Sequence, residues 1–367
     1  MRDAKNQAGA RSFKDILLAE ITAGTQTGAR LLKDTFWKSK PAKIQAGAIV
    51  AAIIVMIFVP RMSSDVYVPL YISWIMAYSV MSISWSFFSG KTGYISLATA
   101  SFYGIGMYMH AFVGRQFPLW TTILFAAALA FAVGIGIGVV TLRLRGIYFT
   151  IFTFGLTLFL NRFMHWYEGI VTRTKGRMVK PFPNETVFFA LLIVFAITLV
   201  AILILNKSKF GLSLKCIGQN EDSAQHLGVK TTRAKVLAFA LTAAPVGAVG
   251  VIMSTKSGYI DPNTAFGMTH SFFPVLMSIF GGMTSTYGPI VGATIFFVLQ
   301  DFLMRADDKI SFAIFQHKVE FMLGDMVVFG VVMVVVMLLM PKGLFGFVDW
   351  IIAKRKKNRG GKVVGDV

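Results

Sequence analysis

Ten apolar runs separated by polar breaks leave this chain few ways to fold. They cover residues 45–60, 67–89, 94–113, 119–141, 147–167, 186–206, 236–255, 267–283, 288–304 and 319–340. A helix needs about 20 apolar residues to cross the hydrocarbon of a bilayer, where backbone polar groups must be bonded internally. With 55% of the 367 residues hydrophobic and 14% charged, one water-soluble core cannot hide this much apolar surface. The runs are continuous rather than alternating, which sets aside a transmembrane β-barrel. The expectation is an all-α, polytopic integral membrane protein with about ten transmembrane or re-entrant helices.

Charge orients the spans. Nine Lys and Arg lie in residues 1–44, followed by Lys91, Arg143 and Arg145, six across 207–235 and seven in 341–367. All of these face the cytoplasm if both termini are inside, and the reverse orientation would put most of the 36 basic residues across the membrane. N-in and C-in is therefore expected. Arg173, Lys175, Arg177 and Lys180 break the pattern: either a span is miscounted or this outer loop faces something acidic. The net charge of +19 sits where anionic lipid would attract it, so membrane lipid rather than nucleic acid is the expected partner.

Three regions follow. Residues 1–44 are basic and cytoplasmic, and Ile16, Leu17, Ile21, Leu31, Leu32, Phe36 and Trp37 either line an interfacial helix or belong to an unstructured lead-in ending at Pro41. Residues 45–349 form the membrane domain, with a polar interruption at 206–235, and 350–367 form a basic disordered tail. No cleavable signal peptide is expected, because about 44 polar or mixed residues precede the first run. Cys216 has no mate, the five histidines lack ligand spacing, and no Ser-His-Asp set stands out. No metal site, cofactor or catalytic residue is expected in this chain.

Small residues recur four apart: Ala100 and Gly104, Gly134 and Gly138, Ala243 and Gly247, Gly288 and Gly292, each pair permitting close helix approach. Glycine, serine and threonine also crowd residues 90–106 and 281–292, beside short apolar segments, as in broken helices that line a polar path. Tyr94, Ser96, Thr99, Ser101 and Thr284 are the candidates for that path. Arg162 and His165, three apart near an outer end, either meet an anionic substrate or, for Arg162, snorkel to the headgroups. None of the spans has a carboxylate in its central turns except near Asp301, which is close to an end, and this disfavours the alternative of an ion-coupled secondary transporter acting alone. Gly90-Lys91-Thr92 resembles the end of a phosphate-binding loop, but Trp85 stands where that pattern needs glycine, so no ATPase is expected here.

The interruption at 206–235 has local helix signals. Asn220 can cap a short helix, Glu221 and Asp222 suit its N-terminal end, and Gly228 can stop it, giving a helix over Glu221 to Leu227. The surrounding KFGLSLKCIGQNEDSAQHLGVKTTRAKVLAFALTAAPVGAVG resembles the cytoplasmic motif of permease subunits from the ABC importer family for branched-chain amino acids. GKTGYISLATASFYGIGMY, LRLRGIYFTIFTFG, FGGMTSTYGPIVGA and MPKGLFG resemble further motifs of that family in the same order, over roughly residues 67 to 346. The likeness is nearest to its M-type permease. It implies one half of a translocation pathway in a bacterial inner membrane, paired as a heterodimer with an H-type permease. It also implies two ATPase subunits that carry ATP and Mg, and an extracytoplasmic substrate-binding protein. By the same resemblance Gly211, Asn220, Glu221, Asp222 and Gly228 belong to the ATPase-coupling segment.

The chain departs from the family where the substrate would pass. Tyr94 stands for the usual Gln, Ala98 for a Gly and Thr99 for a His, and the outer loop reads VTRTKG with Thr172, Arg173 and Lys175 in place of a Gly-rich core. These changes open the substrate to branched-chain amino acids, urea, short amides or aromatic acids. Arg173 and Lys175 would suit a carboxylate.

Overall fold

The computed structural model describes residues 67–283, 285–314 and Gly330, with side chains as far as Asp301. The expectations for residues 1–44, the runs at 45–60 and 319–340, the tail at 350–367 and Thr284 lie outside the described residues. The described chain is helical almost throughout: α1 (Tyr67–Thr92), α2 (Thr99–Val113), α3 (Leu119–Thr141), α4 (Ile147–Trp166) with a π-helical extension (Tyr167–Thr172), and β1 (Arg177–Met178). Then come α5 (Asn184–Lys207), α6 (Lys209–Gln219), α7 (Glu221–His226), α8 (Thr231–Ser257), β2 (Tyr259–Ile260), α9 (Pro262–Ala265), α10 (Thr269–Gly281) and α11 (Gly288–Ile314). Among the described residues, five helices are long and apolar enough to cross a membrane: α1, α3, α4 with its extension, α5 and α8.

Each apolar run between 67 and 304 matches one helix, but two helices are shorter than their runs. α2 begins at Thr99 rather than 94 and has 15 residues, and α10 has 13. At 1.5 Å per residue these are about 20–22 Å long, less than the roughly 30 Å of hydrocarbon. Unwound residues at 93–98, 282–283 and 285–287 flank them, where glycine and small polar residues cluster.

α8 is the central element. It packs against α3, α2 and α1, and 78% of its apolar window is buried. The contact with α2 is backbone against backbone: a Cβ on Gly106 would collide with the Gly247 carbonyl, and one on Gly250 with the Tyr103 carbonyl. Phe88, Phe102 and Phe149 each set a ring against Phe239 of α8, filling the layer below. α4 lies at the opposite extreme, with 17% of its window buried and Ile147, Tyr148, Ile151 and Phe159 exposed.

α1 and α8 end alike. Gly93 and Gly258, with φ of 74° and 64°, each turn the chain out of the helix in a region that side chains avoid. Each is followed by Tyr-Ile and a polar residue: Tyr94-Ile95-Ser96 and Tyr259-Ile260-Asp261. Tyr94 meets the first turns of α8 at Lys235, whereas Tyr259 follows its last turn. The stretch of α8 from Lys235 to Ser257 therefore puts about 33 Å of helix between the two ends. β1 and β2 pair antiparallel at the Tyr259 end, Arg177 opposite Ile260 and Met178 opposite Tyr259.

Candidate functional site

The 206–235 interruption folds into two helices fixed by their own capping groups. Ser208 Oγ accepts from the Gly211 N–H at 3.3 Å to start α6, which buries Gly211, Leu214 and Ile217, three apart on one face. Glycine is required twice on that helix, because a Cβ would strike the Leu205 carbonyl at Gly211 and the Lys91 carbonyl at Gly218. Asn220 Oδ1 then accepts from Ser223 N–H at 2.9 Å, the cap expected of α7. At the other end Gly228, with φ of 84°, donates to the Gln225 carbonyl, and the Val229 N–H donates to the Ala224 carbonyl at 3.1 Å. α7 ends at His226, one residue before the expected Leu227, which instead caps the helix and is 79% exposed.

Glu221 and Asp222 point in opposite directions. Asp222 is exposed and pairs with Arg145 at 3.0 Å. Glu221 turns inward, its side chain 14% exposed. One carboxylate oxygen accepts from Lys235 Nζ at 2.6 Å and the other from the Tyr94 hydroxyl at 2.5 Å. Lys235 Nζ also donates to the Tyr94 hydroxyl at 3.1 Å and lies 4.3 Å from the centre of its ring. The Lys235 side chain is 2% exposed. Three segments distant in sequence thus meet in one neutral, hydrogen-bonded triangle. Burial alone would raise the Glu221 carboxyl, but the hydrogen bonds from Lys235 and Tyr94 and the lysine charge hold it below the ordinary carboxylate range.

From Tyr94 the unwound stretch 93–98 runs into the bundle, where its backbone polar groups need partners. Hydroxyls and one indole supply them. Thr150 donates to the Ile95 carbonyl at 2.9 Å, and Trp85 Nε1 donates to the Ser96 carbonyl at 2.7 Å. Thr153 accepts from the Leu97 N–H at 3.1 Å, and Thr157 and Ser271 both donate to the Leu97 carbonyl. Ser271 also accepts from the Ala100 N–H at 3.1 Å, and Ser101 shares a 2.8 Å bond with Thr157. Of the path candidates, Ser96 and Ser101 are thus buried in this polar seam joining α1, α2, α4 and α10. Thr99 lines a cavity of about 20 Å³ between α1, α2 and α8. Ser84, whose buried hydroxyl has no partner among the described residues, faces the same cavity.

The other end of the bundle holds the remaining candidates. His165 Nε2 lies 3.1 Å from Asn263 Oδ1, while Asn161 donates to the Pro262 carbonyl at 2.9 Å, so α4 and α9 are joined there. Arg162 is exposed on α4. Glu168, 3% exposed, accepts from the Tyr108 hydroxyl at 2.9 Å and from the Gly176 N–H at 3.0 Å. It thereby anchors the basic 173–180 loop, where Arg177 lies over the Phe112 ring at 4.2 Å and Tyr259 donates to the Lys175 carbonyl at 2.6 Å. Among the described residues no group of His, Cys, Asp or Glu is arranged to hold a metal ion.

Sequence reasoning placed Glu221 and Tyr94 in separate roles, and the structure brings them into contact. It missed Lys235, Ser271 and Glu168. A lysine entering a long apolar helix, 14 residues after an acidic cap, was the available signal for Lys235.

Comparison with known proteins gives a family. Residues 67–341 match the model of the branched-chain amino acid transport system permease component. The high-affinity branched-chain amino acid transport system permease proteins LivM of Salmonella typhimurium and Escherichia coli are each 25% identical over 303 residues, covering 73% of this chain and 68% of theirs. The autoinducer 2 import system permease protein LsrC of Yersinia enterocolitica is 26% identical over 167 residues, 41% of this chain and 44% of its own. No solved structure matches.

Proposed function

Because the chain belongs to the branched-chain amino acid transport system permease family, we propose that its 206–235 segment is where ATP-driven motion enters a translocation pathway of which this chain forms half. It is a multi-pass membrane permease subunit of an ATP-binding cassette importer. On this reading both termini and the 206–235 segment face the cytoplasm of a bacterial inner membrane, and the spans number about ten. ATP and Mg are bound by two separate ATPase subunits. An H-type permease supplies the other half, and an extracytoplasmic binding protein delivers a branched-chain amino acid or a related amide or carboxylate. Arg173 and Lys175 favour a substrate with a carboxylate.

The observation that carries the reading is the build of α6 and α7. A capped, glycine-closed helix presents Asp222, His226 and Leu227 outward while its glutamate grips the membrane helices. A soluble partner can push on such an element without unwinding it. The test is co-expression with the products of neighbouring genes, co-purification, and ATP hydrolysis in lipid. Stimulated hydrolysis that Glu221→Lys abolishes supports the assignment. A chain that purifies alone and carries an ion-driven flux overturns it.

A further inference from the structure

Resting on the coupling reading, we infer that Tyr94 and Lys235 are positioning residues of the transport cycle: by holding Glu221 from inside, they fasten α7 to the unwound 93–98 stretch so that the two move together. Glu221 itself is turned away from any soluble partner, since its carboxylate is enclosed by Lys235 and Tyr94. The outward side chains of α7 make the contact, and Glu221 passes it on. The tie is triangular because a phenol both donates and accepts: the Tyr94 hydroxyl donates a hydrogen bond to Glu221 and accepts one from Lys235.

Among the described residues α7 has two further links: Gln225 donates to Thr231 at 3.0 Å, which reaches only the first residue of α8, and Asp222 pairs with Arg145 between α3 and α4, a poorer transmitter. Arg145 and Asp222 are 63% and 66% exposed, so water and salt screen their attraction and either side chain swings freely. The buried triangle has one arrangement, and a buried ion pair of this kind fixes position more than it adds stability. What Tyr94 receives it delivers at once. Ile95 and Leu97 are bonded through their backbone to Thr150, Thr153 and Thr157 of α4 and Ser271 of α10, so a shift at residue 94 reaches both of those helices. The deletion of one hydroxyl oxygen, Tyr94→Phe, opens two sides of the triangle and leaves the ring stacked under Lys235.

The test uses the assembled complex in lipid, with Cys216→Ser and a spin label at Leu227→Cys on α7 or at Ile95→Cys in the unwound stretch. The probe is a non-hydrolysable ATP analogue with magnesium. With the triangle intact, both labels change mobility when the analogue is added. With Tyr94→Phe, the label at 227 still responds and the label at 95 loses its response. Glu221→Lys silences position 95, and adding Lys235→Glu restores it, because the reversed pair can still bond the phenol. An undiminished response at 95 in Tyr94→Phe overturns the tie and leaves the coupling reading standing. Silence at 227 in the otherwise intact chain overturns the coupling reading and the tie with it. If Tyr94→Phe does not assemble, the reversed pair decides: no recovery at 95 overturns the proposal.

Discussion

Glu221 carries one negative charge with two donors aimed at it, and that makes its environment sensitive to acid in a definite direction. Its carboxyl is held below the ordinary range, so the folded state gains from ionisation. That gain is complete above the pKa of a free glutamate, roughly 4.3, and is lost as pH falls through the depressed value. Protection factors of the α7 amides, the exchange rates corrected for the intrinsic pH dependence of amide exchange, should therefore be flat at neutral pH and fall in acid, and Glu221→Gln should remove the acid limb. At Gly218 the constraint is steric. An added Cβ would meet the Lys91 carbonyl, a backbone atom that no rotamer change can clear. Gly218→Ala should cost about 1–3 kcal/mol of stability in detergent, read from the thermal midpoint. Gly136→Ala, where nothing lies within 4 Å, serves as the neutral control.

At the scale of the element, the break before α2 exists because distant hydroxyls hold it open. Ser271 serves two backbone groups, the Leu97 carbonyl and the Ala100 N–H. Ser271→Ala should cost about 1–3 kcal/mol for the donor left unbonded and raise exchange at the start of α2, whereas Ser254→Ala, whose hydroxyl bonds only within its own helix, should leave it unchanged. This is also where the sequence ceased to be readable. The glycine and serine of residues 90–106 announced a break, but its length depends on Thr153, Thr157 and Ser271, which lie 56 to 174 residues from their partners. α7 was readable almost to the residue because Asn220, Ser223 and Gly228 act within one short helix. The triangle was not, since Tyr94 and Glu221 are 127 residues apart and no periodicity links them.

For the molecule as a whole, the readable part was the succession of spans, since length and unbroken apolarity are what a bilayer selects. Orientation is a separate matter and has its own measurement. In a Cys216→Ser chain, a membrane-impermeant maleimide should label Leu212→Cys only in inside-out vesicles and Lys175→Cys only in right-side-out ones. Labelling of both from one side would mean an error in the span count between 175 and 212. Both positions are exposed, so access through the bilayer and not burial sets the outcome.

The paired endings of α1 and α8 give the experimenter two independent controls. Each glycine hands the chain to a tyrosine whose hydroxyl clasps a different piece of backbone or side chain: Tyr94 the carboxylate of α7, Tyr259 the Lys175 carbonyl of the basic loop. About 33 Å of helix lies between them, so one oxygen atom can be removed at either end while the other end keeps its own bonds. Phenylalanine at 94 and at 259, singly and together, makes a two-by-two genetic design. A departure from additivity between them would measure how strongly the two ends communicate through α8.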